Sequence, residues 1–192
     1  MSKKTVMTRV LGLMLLALPL YSGAKTVEGV EVPGTYSYEG QELALAGAGS
    51  RSKWFMDLYV AGLYLSSAEP GSTSVILEAD EPQAITLNII SGMITSERMK
   101  EATLEGFDAA TEGDTSAIQE DIDRFIAVFE ETIEEGDAFT LVYMPEEGVS
   151  VLKNGEHKDT LGDLAFKQAL FGIWLSDNPV DKGLKAGMLG QR

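Results

Sequence analysis

The chain has 192 residues and no cysteine, so no disulfide can brace it and no N-terminal lipid can be attached through a thiol. An exported form of it must fold on its core alone. Histidine occurs once, as His157 beside an Asn154-Gly155 turn, with no neighbouring cysteine or second histidine to complete a metal site or a triad. His157 therefore reads as a surface or hairpin residue, and neither metal nor cofactor is expected. Basic residues are scarce: 15 Lys and Arg stand against 30 Asp and Glu, a net charge of −15. Phosphate binding needs a basic face and none is visible, which excludes nucleic acid as a partner. Most of the acids read as a solvated surface, and an anionic ligand needs a local positive site working against the global field. There is no P-loop, no Gly-x-Gly-x-x-Gly before a helix, no His-Glu-x-x-His and no nucleophile elbow, so the residues alone nominate no catalytic group.

Long apolar runs are also missing. The one candidate, Val10 to Leu20, is too short to span a bilayer comfortably. It follows Lys3, Lys4 and Arg9 and precedes Ser22-Gly23-Ala24, the pattern of a secretory signal cleaved after Ala24. The expected location is the periplasm, with no membrane span after cleavage. Losing three basic residues and no acid would take the net charge to −18. With 44% hydrophobic and 23% charged residues, positions 25–192 fit a single globular domain with a sizeable core.

The pattern along that domain is first β, then α, then mixed. Lys25 to Val32 reads as a first strand ended by Pro33-Gly34, Tyr36 and Tyr38 alternate, and Gln41 to Ala46 forms a strand feeding a Gly47-Ala48-Gly49 turn. After a loop at 66–73, Ser74 to Leu77 begins a strand, and Ala84 to Ser91 sends Ile85, Leu87 and Ile89 to one face. Ser96 caps a helix to about Thr111; a second, acidic helix starts at Asp114-Thr115-Ser116 and stops at Gly136, with Ile118, Ile122, Phe125, Ile126, Phe129 and Ile133 as its apolar stripe. Strands return at 138–144 and 148–152, Asn154-Gly155 turns the chain into a partner strand at 156–159, and helices follow at 161–175 and 180–190. The architecture expected is a single α+β domain.

The stretch from Gly47 to Leu65 carries the binding chemistry. It delivers Arg51, a permanent positive charge, into a segment otherwise suited to burial. Strand alternation puts Arg51 and Tyr59 on one face, where they could hold an anionic head group above an apolar tail. On one straight strand they would be roughly 26 Å apart, so they cooperate only if the chain bends or reverses between them. The alternative is that Arg51 pairs with an internal carboxylate and Tyr59 merely packs.

Two blocks of residues resemble a known family. Ala48-Gly49-Ser50-Arg51-Ser52-Lys53 with Tyr59-Val60-Ala61-Gly62-Leu63-Tyr64-Leu65, and the tail from Phe166 to Leu175 with Asp177-Asn178-Pro179-Val180 and Met188-Leu189-Gly190, are similar to the chalcone isomerase-like family, in particular its exported bacterial branch. The resemblance implies an open-faced β-sandwich, a large antiparallel sheet covered by a helical layer, with a ligand cleft between them. In the plant enzymes of the family an arginine steers the reactive oxygen; Arg51 matches it, Tyr59 falls where the first threonine stands, Thr95 replaces the tyrosine, Ala102 the asparagine and Phe166 the last hydroxyl residue. Those replacements argue against chalcone cyclisation, since the Ala102 and Phe166 side chains donate no hydrogen bond. In the fatty-acid-binding branch an arginine and a tyrosine clamp a carboxylate, and Arg51 and Tyr59 retain both residue types. The reading is a non-catalytic periplasmic binding protein for a fatty acid or similar amphipathic carboxylate, with Arg51, Tyr59 and Thr95 as ligand-binding candidates. Its rivals are an isomerase or lyase acting on another small molecule, and a structural or interaction module in which Arg51 is satisfied internally and no cavity exists.

Overall fold

The computed structural model of the protein describes residues 23–191. The apolar run and basic patch of the expected signal lie outside the described residues. Strands β1 (Lys25–Val27) and β2 (Val30–Val32) form a hairpin reversed at Glu28 and Gly29, both at positive φ, so the single first strand expected from the sequence is in fact two. The chain then makes β3 (Thr35–Tyr38), β4 (Gln41–Lys53), β5 (Met56–Leu65), helix α1 (Thr73–Glu78) and β6 (Gln83–Ile89). Helices α2 (Ser96–Ala110) and α3 (Gln119–Ala127) lead to β7 (Ala138–Met144), β8 (Gly148–Lys153) and β9 (Glu156–Leu161), and helices α4 (Leu164–Leu175) and α5 (Lys182–Met188) close the fold. Strands β3 to β9 lie side by side in chain order as one antiparallel sheet.

Alternation along each central strand sorts the two faces. Tyr59, Ala61 and Leu63 of β5, Ile85, Leu87 and Ile89 of β6, and Phe139, Leu141 and Tyr143 of β7 point to the helices, where Phe107, Phe125 and Phe166 complete the core. Each leucine, isoleucine or phenylalanine among them contributes about 1.5–3 kcal/mol by leaving water. The opposite face sends Leu43, Leu45, Val60, Tyr64, Ala84 and Val142 toward a much smaller cover, the β1–β2 hairpin with Val32. The result is the expected α+β open-faced sandwich: a helical layer on one side and a two-stranded flap on the other.

Several local expectations are corrected. Gly47-Ala48-Gly49 is no turn but lies inside β4, and its glycines answer to close approach: a Cβ on Gly47 would stand 2.4 Å from the Gly187 carbonyl oxygen, and one on Gly49 3.2 Å from the Gly187 Cα. Helix α5 thus rests backbone to backbone on β4. Ser74 to Leu77 is helical, held between the Ser72 cap and Lys167. Thr95, not Ser96, caps α2, its hydroxyl accepting from the Arg98 N–H, while Ser96 donates to the Glu131 carbonyl. The second helix is shorter than its apolar stripe, beginning at Gln119 and tightening into a 3-10 turn at Val128–Glu130.

Lys167 is fully buried on α4 and donates to the carbonyls of Ile76, Leu77 and Ala79 at 3.2, 2.8 and 2.7 Å, so its ammonium closes the C-terminal end of α1. Its other neighbour is the Tyr143 ring, 5.2 Å away. Burial pulls the Lys167 pKa down to about 8, with Asp80 and Glu81 opposing that fall. An unfolded lysine keeps its proton to about 10.4, so between those values the unfolded state binds more protons and this group's contribution to stability rises with pH. Urea denaturation of the wild type and Lys167→Met should show their stability difference moving in the wild type's favour by about 2 kcal/mol from pH 8 to 10. An unchanged difference would mean that Lys167 titrates at its ordinary value.

The reversal between β4 and β5 is the least ordinary piece of backbone. Lys53 pairs with Met56, leaving a two-residue loop in which Trp54 and Phe55 both carry positive φ, +54° and +68°. Asn154 and Gly155 make the same kind of turn between Lys153 and Glu156, with the residues such a turn favours. Bulky side chains in the left-handed region cost of order 1–3 kcal/mol each. Replacing the pair by Trp54→Asn with Phe55→Gly should therefore stabilise the fold by about 1–2 kcal/mol in chemical denaturation.

Candidate functional site

The hairpin turn supplies the reversal that the separation of Arg51 and Tyr59 requires. The two residues are direct cross-strand partners on β4 and β5, facing the helical layer, and the guanidinium carbon lies 5.8 Å from the centre of the Tyr59 ring. Tyr59 is buried, and its oxygen accepts a hydrogen bond from Nε1 of Trp174 on α4 at 2.9 Å. Burial raises the Tyr59 pKa above its ordinary value of 10; the nearby Arg51 charge and the Trp174 hydrogen bond oppose that rise without cancelling it. The phenol is neutral at physiological pH. Trp174, Tyr59 and Arg51 thus form a chain of contacts from the helical layer to the sheet, in which a rigid indole fixes the phenol and the phenol ring supports the guanidinium.

Arg51 is half-buried, and among the described residues no carboxylate stands within ion-pair distance of it. The internal pairing weighed in the sequence analysis does not occur. Instead Arg51 lines a cleft of about 370 Å³ between the β4–β5 hairpin and α2. Trp54, Met56 and Leu58 from the hairpin, with Met93 and Ile94 from the loop before α2, give the cleft an apolar wall. Lys53 and Arg98 add cationic groups, and Glu101 and Glu105 lie along the α2 side. Arg98 also donates from Nη1 to the Met93 carbonyl at 3.0 Å, fixing the loop that carries Met93 and Ile94.

The three ligand-binding candidates occupy different positions. Arg51 is on the cleft wall; Tyr59 lies behind it, 3% exposed; Thr95 sits one residue beyond Ile94 with its hydroxyl engaged as the cap of α2. Ala102 faces the cleft with a methyl group, while Phe166 is buried against Phe107 and Phe125 at ring separations of 5.7 and 6.2 Å. The sequence reading missed Trp174 as a support of the site, placing it only within the helix at 161–175. It also missed Trp54, Met56 and Met93, whose only signal was apolar character in segments otherwise read as strand or loop. His157 is exposed, 2.8 Å from the Thr160 hydroxyl, and among the described residues no group of three or more His, Cys, Asp or Glu side chains could hold a metal ion.

A curled seven-stranded antiparallel sheet, helices on one face and a cleft at the end of the β4–β5 hairpin define an α+β fold with an open-faced sandwich plan. The sequence profile of the chalcone isomerase-like family matches residues 24–190, and the chain belongs to that family. Among solved structures it resembles a fatty-acid binding protein of Arabidopsis thaliana, with a TM-score of 0.66 and 18% identity, over 85% of this chain and 93% of that one. At that identity the likeness shows the fold alone. No curated protein matches the chain.

Replacing Tyr59 by Phe removes the acceptor of the Trp174 N–H and leaves a buried donor unpaired, at a cost of about 1–3 kcal/mol. Denaturation of Tyr59→Phe should show that loss. Alkaline ultraviolet titration should show the variant lacking one phenol that ionises above pH 10 in the wild type.

Proposed function

We propose that the protein is a non-catalytic periplasmic binding protein for a fatty acid or similar amphipathic carboxylate. The observation that carries this reading is Arg51, a half-buried guanidinium with no carboxylate in ion-pair distance among the described residues, set in a cleft that has one apolar wall. A carboxylate accepting two parallel hydrogen bonds from that guanidinium would replace the water that solvates it, and the tail would follow the Trp54, Met56 and Leu58 wall. Tyr59 and Trp174 hold Arg51 in place from behind. At about 370 Å³ the cleft is near the lower end of the ~300–1,000 Å³ usual for ligand pockets, which suits a head group and the first part of a chain. The structural neighbour's name as a fatty-acid binding protein supports the same ligand class. Ala102 at the cleft and Phe166 sealed in the aromatic core favour binding over chalcone cyclisation. The rival of an interaction module with a satisfied arginine and no cavity is not supported by this geometry.

The test is to purify the processed protein from its native periplasm without delipidation, extract it with organic solvent and identify the extract by mass spectrometry. A stoichiometric fatty acid is expected, and Arg51→Ala should bind it about 10- to 100-fold more weakly while remaining folded, the equivalent of losing a charge-assisted contact of about 1.5–3 kcal/mol. An empty extract that stays empty after fatty acids are added back would overturn the reading.

A further inference from the structure

The tip of the β4–β5 hairpin presents its largest side chains to water. Trp54 is 83% exposed, Phe55 is fully exposed, and Met56 and Met93 beside them are 44% and 39% exposed. Exposure here is imposed by a backbone conformation that Asn-Gly would adopt with less strain, so two aromatic rings are kept where the fold gains nothing from them. The charge at the tip is as unusual as its hydrophobicity. Positions 51–56 hold Arg51 and Lys53 and no carboxylate, in a chain of net charge −15; Asp57 follows with its carboxylate held by the Ser52 hydroxyl, and Arg98 stands at the same cleft with Glu101 and Glu105.

We propose that this tip inserts into the interface of an anionic lipid bilayer, with Trp54 and Phe55 entering the headgroup region and Lys53 and Arg98 meeting lipid phosphates. An exposed tryptophan and phenylalanine with Lys53 next to them at the very tip are the chemistry that such an interface accepts, because tryptophan suits the headgroup level and long basic side chains reach its phosphates. A second copy of the chain is the poorer occupant. Two or three side chains of roughly 150–250 Å² each fall well short of the ~1,200–2,000 Å² that a stable interface buries, and two copies of so acidic a protein repel elsewhere. The same acidity restricts how the protein meets an anionic membrane: the remainder of its surface is repelled, so the hairpin end leads. This inference stands apart from the ligand reading, since it needs no molecule in the cleft.

The experiment uses the delipidated, processed protein with vesicles of equimolar phosphatidylethanolamine and phosphatidylglycerol, and with phosphatidylcholine vesicles as the uncharged comparison. Flotation should carry the wild type with the anionic vesicles and much less with the neutral ones. A blue shift of tryptophan emission, quenched by brominated acyl chains, should report Trp54 at the interface; Trp54→Ser should abolish that change, leaving only the buried Trp174. Phe55→Gly, which removes a ring outside the cleft lining, should weaken flotation, and Trp54→Asn with Phe55→Gly should eliminate it while the protein resists denaturant better than the wild type. Wild type that fails to float, or variants that float equally well, would overturn the proposal. So would equal binding to neutral vesicles, or concentration-dependent dimerisation without flotation. Failure of fatty-acid extraction leaves the Phe55→Gly outcome unaffected, because Phe55 takes no part in the cleft, whereas Trp54 belongs to both surfaces.

Discussion

The pairing of β4 with β5 is the constraint on which most of the molecule depends. Thirteen residues face ten along nearly their whole length, and the register brings Arg51 opposite Tyr59, Gly49 opposite Ala61 and Ala48 opposite Gly62. One face of that pair therefore offers a guanidinium beside a phenol, and glycine where α5 comes to rest. The same pairing ends in a loop of two residues, so the chain has no slack with which to hide Trp54 and Phe55. Site, helix seat and exposed tip are three products of one register, and slipping it by a residue would send each of them to the wrong face.

The arginine is held as a supported charge. Water and the Tyr59 ring offset part of the cost of bringing a guanidinium halfway into the protein, and no carboxylate neutralises it. A salt bridge would have made Arg51 a fixed part of the core; instead it has the Tyr59 ring on one side and the cleft on the other. Lys167 shows the contrasting solution in the same fold, an ammonium spent entirely on the three carbonyls that end α1. The two cations differ both in burial, Lys167 fully enclosed and Arg51 half-buried, and in what their donors meet.

Much of this was legible in the residues. Period-two alternation located β5 to β8 and sorted Ile85, Leu87 and Ile89 to the core face, and Asn154-Gly155 announced its hairpin because its chemistry matches its backbone. Trp54-Phe55 announced nothing, since turn rules look for residues that relax a left-handed backbone and this turn uses two that do not. Gly47-Ala48-Gly49 misled for a related reason: small residues mark turns and close approaches alike, and only the position of α5 decides between them. Ser74 to Leu77 looked like strand in isolation, and its helix depends on a lysine ninety positions away in the chain. Arg51 and Tyr59 could be nominated from their types and their resemblance to a family. That Tyr59 stands behind Arg51, with Trp174 behind both, is tertiary information that no local pattern carries.

The contact of α5 with β4 has one further consequence. Where helices usually rest on sheets through interdigitated side chains, which can repack when one of them changes, Gly187 meets Gly49 with a gap that would bring an added Cβ within 2.9 Å of the opposing Cα. Such a seat has no adjustable parts. A methyl group at 47 or 187 would meet the opposing backbone inside contact distance and one at 49 would press on it at 3.2 Å, and with glycine already on both surfaces no smaller residue on the other side can make room. A side chain at the cleft or the hairpin tip can change its size without moving the backbone beneath it; at this joint the size of the residue and the position of the helix are the same variable.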